Sequence, residues 1–217
     1  MRRTPLFLSV TIITVLVAVF LLVAPQITFG AACTWTGTTS TNWADPTNWS
    51  GCGGVVPTTA DTVTINAATN QPTLAANMSV AGLTVNGGAT VTISATTTLT
   101  TLGDLSNGGV ITGTGILTFT GTTFTNNSNG TVGVAETRFS GVSQSIAGSG
   151  EWLGAVRVMS GSTTVLNTSG NFRRSLTIET GGTAQITSNV PNLRTAVGAS
   201  AGPVLTINGT LAASPNN

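Results

Sequence analysis

Leu83-Thr84-Val85-Asn86-Gly87-Gly88-Ala89-Thr90-Val91-Thr92-Ile93-Ser94 reads as two short apolar alternations joined by an Asn-Gly-Gly turn. Period-2 alternation built from Val, Ile, Leu and Thr and bounded by Gly and Asn is the signature of a β-strand with one buried face. Gly and Asn accept the backbone angles of a tight corner. The pattern returns as Leu176-Thr-Ile-Glu-Thr-Gly-Gly-Thr-Ala-Gln-Ile-Thr-Ser188 with one residue inserted, and Leu205-Thr-Ile-Asn-Gly-Thr-Leu211 begins the same way. Further alternations lie at Val63–Ile65, Ile116–Phe119 and Val156–Val158. No stretch after residue 32 has a 3.6-residue apolar period, and the Gly and β-branched load disfavours helix. Strand, turn, strand repeated along a chain points to an all-β solenoid whose coils stack on one another. An antiparallel β-sandwich, with its turns every 8–12 residues, is the competing architecture.

The composition fits a solenoid. Only 6% of residues are charged, against about 25% in an average globular protein. Every basic residue is Arg, His and Tyr are absent, and the formal net charge is +1. That balance gives no electrostatic case for a nucleic-acid partner. Without His the chain lacks the commonest general base and the commonest metal ligand, so no cofactor or metal is expected. In a solenoid, Val, Ile and Leu fill the interior. Outward positions on flat sheets suit Thr, which has good β propensity and needs no charge. The roughly 185 residues after residue 32 suggest about seven to nine coils of about 20–25 residues.

Residues 1–32 read as a signal peptide. Arg2 and Arg3 precede an apolar run from Leu6 to Ala24, and small residues follow at Thr28, Gly30, Ala31 and Ala32. Cleavage after Gly30 or after Ala32 satisfies the small-residue rule. An uncleaved N-terminal membrane anchor is the competing reading, because the run approaches the ~20 residues needed to span a bilayer. A lipid-modified Cys33 is a third. All three export the rest of the chain.

Residues 33–61 form an N-terminal cap segment, distinct from the repeats at 62–217. They carry Trp35, Trp43 and Trp49, both cysteines, and Pro46 and Pro57. Cys33 and Cys52 are the only two cysteines, nineteen positions apart in an exported chain, and are expected to form a disulfide.

The elements Cys33-Thr-Trp-Thr-Gly37, Asn42-Trp43, Asn48-Trp49-Ser50, Pro57 and Asp61-Thr-Val-Thr-Ile65, followed by Thr/Gly-rich coils, resemble the opening of exported bacterial β-solenoid repeat proteins. These are right-handed parallel β-helices of the filamentous-haemagglutinin and autotransporter-passenger type. The resemblance covers residues 33 to about 125 best. It implies a secreted or cell-surface location and a structural, adhesin-like role, with surface glycans or other cell-surface proteins as partners. A membrane is engaged only through the N-terminal segment, if uncleaved.

Two groups could carry chemistry. Trp35, Trp43 and Trp49 could stack sugar rings, or simply cover the open end of the first coil. Glu136, Arg138, Glu151, Arg157, Arg173, Arg174 and Glu179 hold most of the charge. Arg138 and Arg157 lie about one coil apart, so they are expected to stack on one face. With Glu151 and Trp152 they are the best candidates for a carbohydrate contact. The plainer reading is surface charge paired across coils. Thr-x-Thr pairs such as Thr90-Val91-Thr92 could present ordered hydroxyls, as in ice-binding solenoids, but they do not recur at a constant interval, which argues against a single plane. The leading reading is a non-enzymatic extracellular solenoid. The alternatives are a carbohydrate-binding module and a pectin-lyase-like carbohydrate-active solenoid.

Overall fold

The computed structural model describes residues 30–187, 192–193 and 204–213. The leader reading falls outside these residues except at Gly30, Ala31 and Ala32. Among the described residues no helix is long and apolar enough to cross a membrane.

The chain is a parallel β-solenoid of about six turns, with one 3-10 turn at Pro46–Asn48. Three sheets form its faces, of ten, seven and seven strands. The first begins with Trp49–Ser50, Ala32–Trp35, Thr62–Ile65, Gly82–Val85 and Leu105–Asn107. The second contains Thr90–Ile93, Val110–Gly113, Glu151–Trp152 and Asn171–Phe172, and the third Ile116–Phe119, Glu136–Phe139, Ala155–Val158 and Ser175–Ile178. Each coil visits the three in turn. Every described strand pair is parallel except Trp49–Ser50 against Ala32–Trp35, which removes the sandwich.

Leu83 pairs with Leu105 and Leu105 with Phe124, steps of 22 and 19 residues. Ile146 pairs with Leu166 and Leu166 with Ile186, steps of 20 each. These steps of 19 to 22 residues lie at the short end of the expected 20–25, because most corners close in two to four residues, and the chain makes about six turns rather than seven to nine. The similar segments at 83–94 and 176–188 are not equivalent by position. Gly82–Val85 turns from the first sheet into the second, whereas Ser175–Ile178 turns from the third into the first. They share a Gly-Gly turn, not a place in the coil. Gly88 and Gly181 both sit in the left-handed region, at φ +81 and +80, which a side chain would strain.

Inward positions make one continuous core. The column Cys33–Val63–Leu83–Leu105–Phe124–Ile146–Leu166 runs up the first sheet, and all of its members are buried. Mid-solenoid the interior turns aromatic: Phe124 lies 4.9 Å from Trp152 between ring centroids, and Trp152 stacks on Phe172 at 5.6 Å. Burial of each such side chain contributes roughly 1.5–3 kcal/mol, and identical coils repeat the gain. The adjacent column, Trp35–Ile65–Val85, changes to Asn107 and Asn126 at the third coil. Both amides are fully buried.

Candidate functional site

The Trp segment sits on the first coil. Ala32–Trp35 adds a parallel strand to Thr62–Ile65, and Asn42 bridges to Thr73 in the second sheet. Trp49 meets Trp35 and Trp43 edge-on, with centroids at 4.9 and 4.7 Å. Trp49 donates from Nε1 to the Trp43 carbonyl, and Trp35 to that of Asn70, both at 2.8 Å. Asn48, fully buried, ties the loop: its Oδ1 accepts from the Thr39 and Ser40 amides, and its Nδ2 donates to Ser40 and the Asn42 carbonyl. Trp35, Trp43 and Trp49 are 1%, 1% and 7% exposed, and Trp152 is wholly inside. Of the two readings of the N-terminal indoles, burial favours the cover over the sugar platform, and Trp152, named with Glu151 as a carbohydrate contact, has no exposed face. The three N-terminal rings plug the solenoid end, and Trp152 is core.

Cys33 and Cys52 form the expected disulfide, with Cα atoms 4.9 Å apart. It holds the cap loop to the first strand.

Glu136, Arg138 and Arg157 lie on the third sheet. Arg138 pairs in register with Arg157, so the expected stacking is present. Their guanidiniums do not face each other unopposed. Glu136 carries an ion pair to Arg138 and a second to Arg157 at 3.5 Å, and Arg157 reaches Glu179 at 3.0 Å. The order along the face is Arg138, Glu136, Arg157, Glu179. Alternation of sign holds two like charges on adjacent strands, which would otherwise repel. Glu151 lies on the second sheet and pairs with Arg173, so it does not join Arg138 and Arg157. Arg174 is exposed.

One feature escaped the sequence reading. On the outer surface of the first sheet, Ser50, Thr34, Thr64, Thr84, Ser106 and Thr125 stand in register on six successive strands. Adjacent strands lie about 4.8 Å apart, so these hydroxyls form a column at that spacing. The column continues through Ala147 and Asn167. The steps from Thr34 through Thr125 are 30, 20, 22 and 19 residues. Unequal coil lengths erase the periodicity from the sequence while strand pairing restores it in space. Irregular spacing in the sequence thus does not prevent a single hydroxyl column, which lies on a different face from Thr90-Val91-Thr92.

Asp61 fastens the cap. Its Oδ1 accepts from the Ala31 amide at 2.6 Å, and its Oδ2 accepts from the Thr58 amide and hydroxyl at 2.7 and 2.8 Å. Burial opposes its charge, but the donations from Thr58 and Ala31 together outweigh that and hold the carboxyl below its ordinary range.

Among the described residues no group of three or more His, Cys, Asp and Glu could hold a metal ion. Residues 34–137 match a family described as a domain of unknown function (DUF8693). The match runs from the cap strand into the strand Glu136–Phe139 and stops one residue before Arg138. No curated protein and no solved structure matches the chain.

Proposed function

We propose that the protein is an exported, non-enzymatic solenoid with a structural or adhesive role at the cell surface, engaging partners by hydrogen bonding along its hydroxyl-covered first sheet. The observation that carries this reading is the column from Ser50 to Thr125. Six hydroxyls at a repeat of about 4.8 Å offer donors and acceptors in a line, with little charge to hydrate them strongly. A glycan chain presents complementary hydroxyls along its own length. The disulfide fits a non-cytoplasmic compartment. The experiment is a glycan array and a cell-adhesion assay on the exported protein, beside a variant carrying Thr64→Val, Thr84→Val and Thr125→Val. Val keeps the β-branched shape and removes the hydroxyl. Retention on glycans or cells that the variant loses supports the reading. Equal retention by both proteins, or none by either, overturns it.

A second reading places an acidic glycan on the third sheet. Arg138 and Arg157 are in register and their side chains are 38% and 40% exposed. Glycan carboxylates could displace Glu136 and Glu179 from them. Retention of uronate-rich glycans that is lost with Arg157→Gln favours this reading over the first.

A further inference from the structure

We propose that export cuts the chain between Gly30 and Ala31, and that the ammonium so released at Ala31 seats on the Asp61 carboxylate and fastens the cap to the first coil. The inference rests on the export reading above. By the small-residue rule alone, cleavage after Gly30 and after Ala32 are equivalent. The structure separates them.

The Ala31 nitrogen donates to Asp61 Oδ1 at 2.6 Å. The Ala31 carbonyl accepts from the Thr62 amide at 2.9 Å, and its side chain packs against the core. Asp61 itself is only 8% exposed. A cut after Ala32 deletes both Ala31 bonds and withdraws a donor from a buried carboxylate, which is costly. It also starts the chain on Cys33, buried and already joined to Cys52. That same disulfide excludes a lipid thioether, since one sulfur cannot form both. A cut after Gly30 keeps every bond and converts a neutral donor into a charged one, about twice as strong. Before cleavage Gly30 lies tight against the Ala60 carbonyl, where a Cβ would fall 1.6 Å from its oxygen, and the cut removes Gly30 without touching either Ala31 bond.

In the cleavage, water adds across the Gly30–Ala31 amide with a leader peptidase as catalyst. The C–N bond breaks, Gly30 leaves as a carboxylate, and the Ala31 amine takes up a proton. At neutral pH a free α-amine, with its ordinary pKa of about 7.7–8.0, is largely protonated.

The test begins with the full chain expressed with its leader in an exporting bacterium. Intact mass and N-terminal sequencing of the exported product are expected to give Ala31. A start at Cys33, or at any other residue beyond Gly30, overturns the inference and leaves the export reading standing. A product still beginning at Met1 overturns both. The chain contains no Lys, so an amine-selective acylating reagent reaches the α-amine alone. Labelling of the folded product is expected to be about tenfold slower than in urea, the effect of a one-unit rise in amine pKa, and Asp61→Asn is expected to restore the fast rate. Equal rates in the folded and urea-unfolded wild-type product overturn the seat on Asp61, whether or not the Asn variant folds.

Discussion

Asn107 donates from Nδ2 to Oδ1 of Asn126, one coil above it, at 2.9 Å inside the solenoid. Both side chains are fully buried, and each also serves a corner. Asn107 Oδ1 accepts from the Gly109 amide, and its Nδ2 also reaches the Thr131 carbonyl. Asn126 Nδ2 donates to the Glu151 carbonyl at 3.1 Å. Where a chain turns sharply between two sheets, some backbone groups face inward without a strand partner. The stacked amides satisfy them. Asn126→Leu keeps the volume but strands the Asn107 donor and the Glu151 carbonyl. The expected loss is roughly 2–6 kcal/mol, from about 1–3 kcal/mol for each of the two orphaned groups. Urea denaturation measures it. The double variant with Asn107→Leu is expected to lose less than the sum of the two single variants, because the pair shares one bond. Strict additivity would show that the amides act separately.

The disulfide closes a loop of nineteen residues in the cap. Loop entropy predicts that Cys52→Ser lowers stability by about 3 kcal/mol. The loss is expected to concentrate in residues 32–61, since Trp49–Ser50 is held to the rest by one two-residue antiparallel pairing. Trp fluorescence reads this region, because three of the four indoles lie there. An unchanged midpoint in the Ser variant would show that the Trp cluster holds the loop unaided.

Acid should loosen the same region. The Asp61 pKa is lowered in the folded state, so its contribution is fully present above the unfolded carboxyl value of about 3.9. It is lost as pH falls through the folded value. Asp45, which accepts from the Thr47 hydroxyl and amide, is lowered too and acts in the same direction. Stability is therefore expected to be flat from neutral pH down to about 4 and to fall below it. Asp61→Asn should be less stable at pH 7 and should show a weaker decline in acid. A decline as steep as that of the wild-type protein would move the effect to another carboxylate.

The strand pattern was legible because burial alternates along each strand: Leu83 and Val85 point in, Thr84 points out. The Arg138–Arg157 stacking was legible because nineteen residues happens to equal the local coil. Two things were not. The hydroxyl column from Thr34 to Thr125 is hidden because turns of different length separate equivalent positions. The phase of the repeats is hidden because a Gly with positive φ closes corners of two kinds, at Gly88 and at Gly181. Burial of Trp35, Trp43 and Trp49 was half-legible. A solenoid end needs a cover, but which ring face turns inward depends on the cap loop that Asn48 holds.

The far end of the solenoid sets up the last expectation. Leu205 and Ile207 pair in register with Leu176 and Ile178 one coil below. Leu176 and Ile178 are 2% and 0% exposed, whereas Leu205 and Ile207 are 41% and 45% exposed. Among the described residues Leu176 and Ile178 have a paired strand on each side, whereas Leu205 and Ile207 have one on one side only, and Leu211, beyond the next corner, is also open at 38%. The free energy of an inward side chain depends on contacts from both neighbouring coils, so it must fall where one is missing. Leu176→Ala is expected to cost about 2–5 kcal/mol, as for a buried Leu, and Leu205→Ala well under half of that. Hydrogen exchange gives the same comparison without mutation. Amides of 204–211 should exchange faster than those of 83–93, because among the described residues Val204–Ile207 pairs on one side only and Gly82–Val85 pairs on both. If the two segments exchange at the same rate, the solenoid opens as one cooperative unit and the exposed Leu205 and Ile207 mark no weaker end.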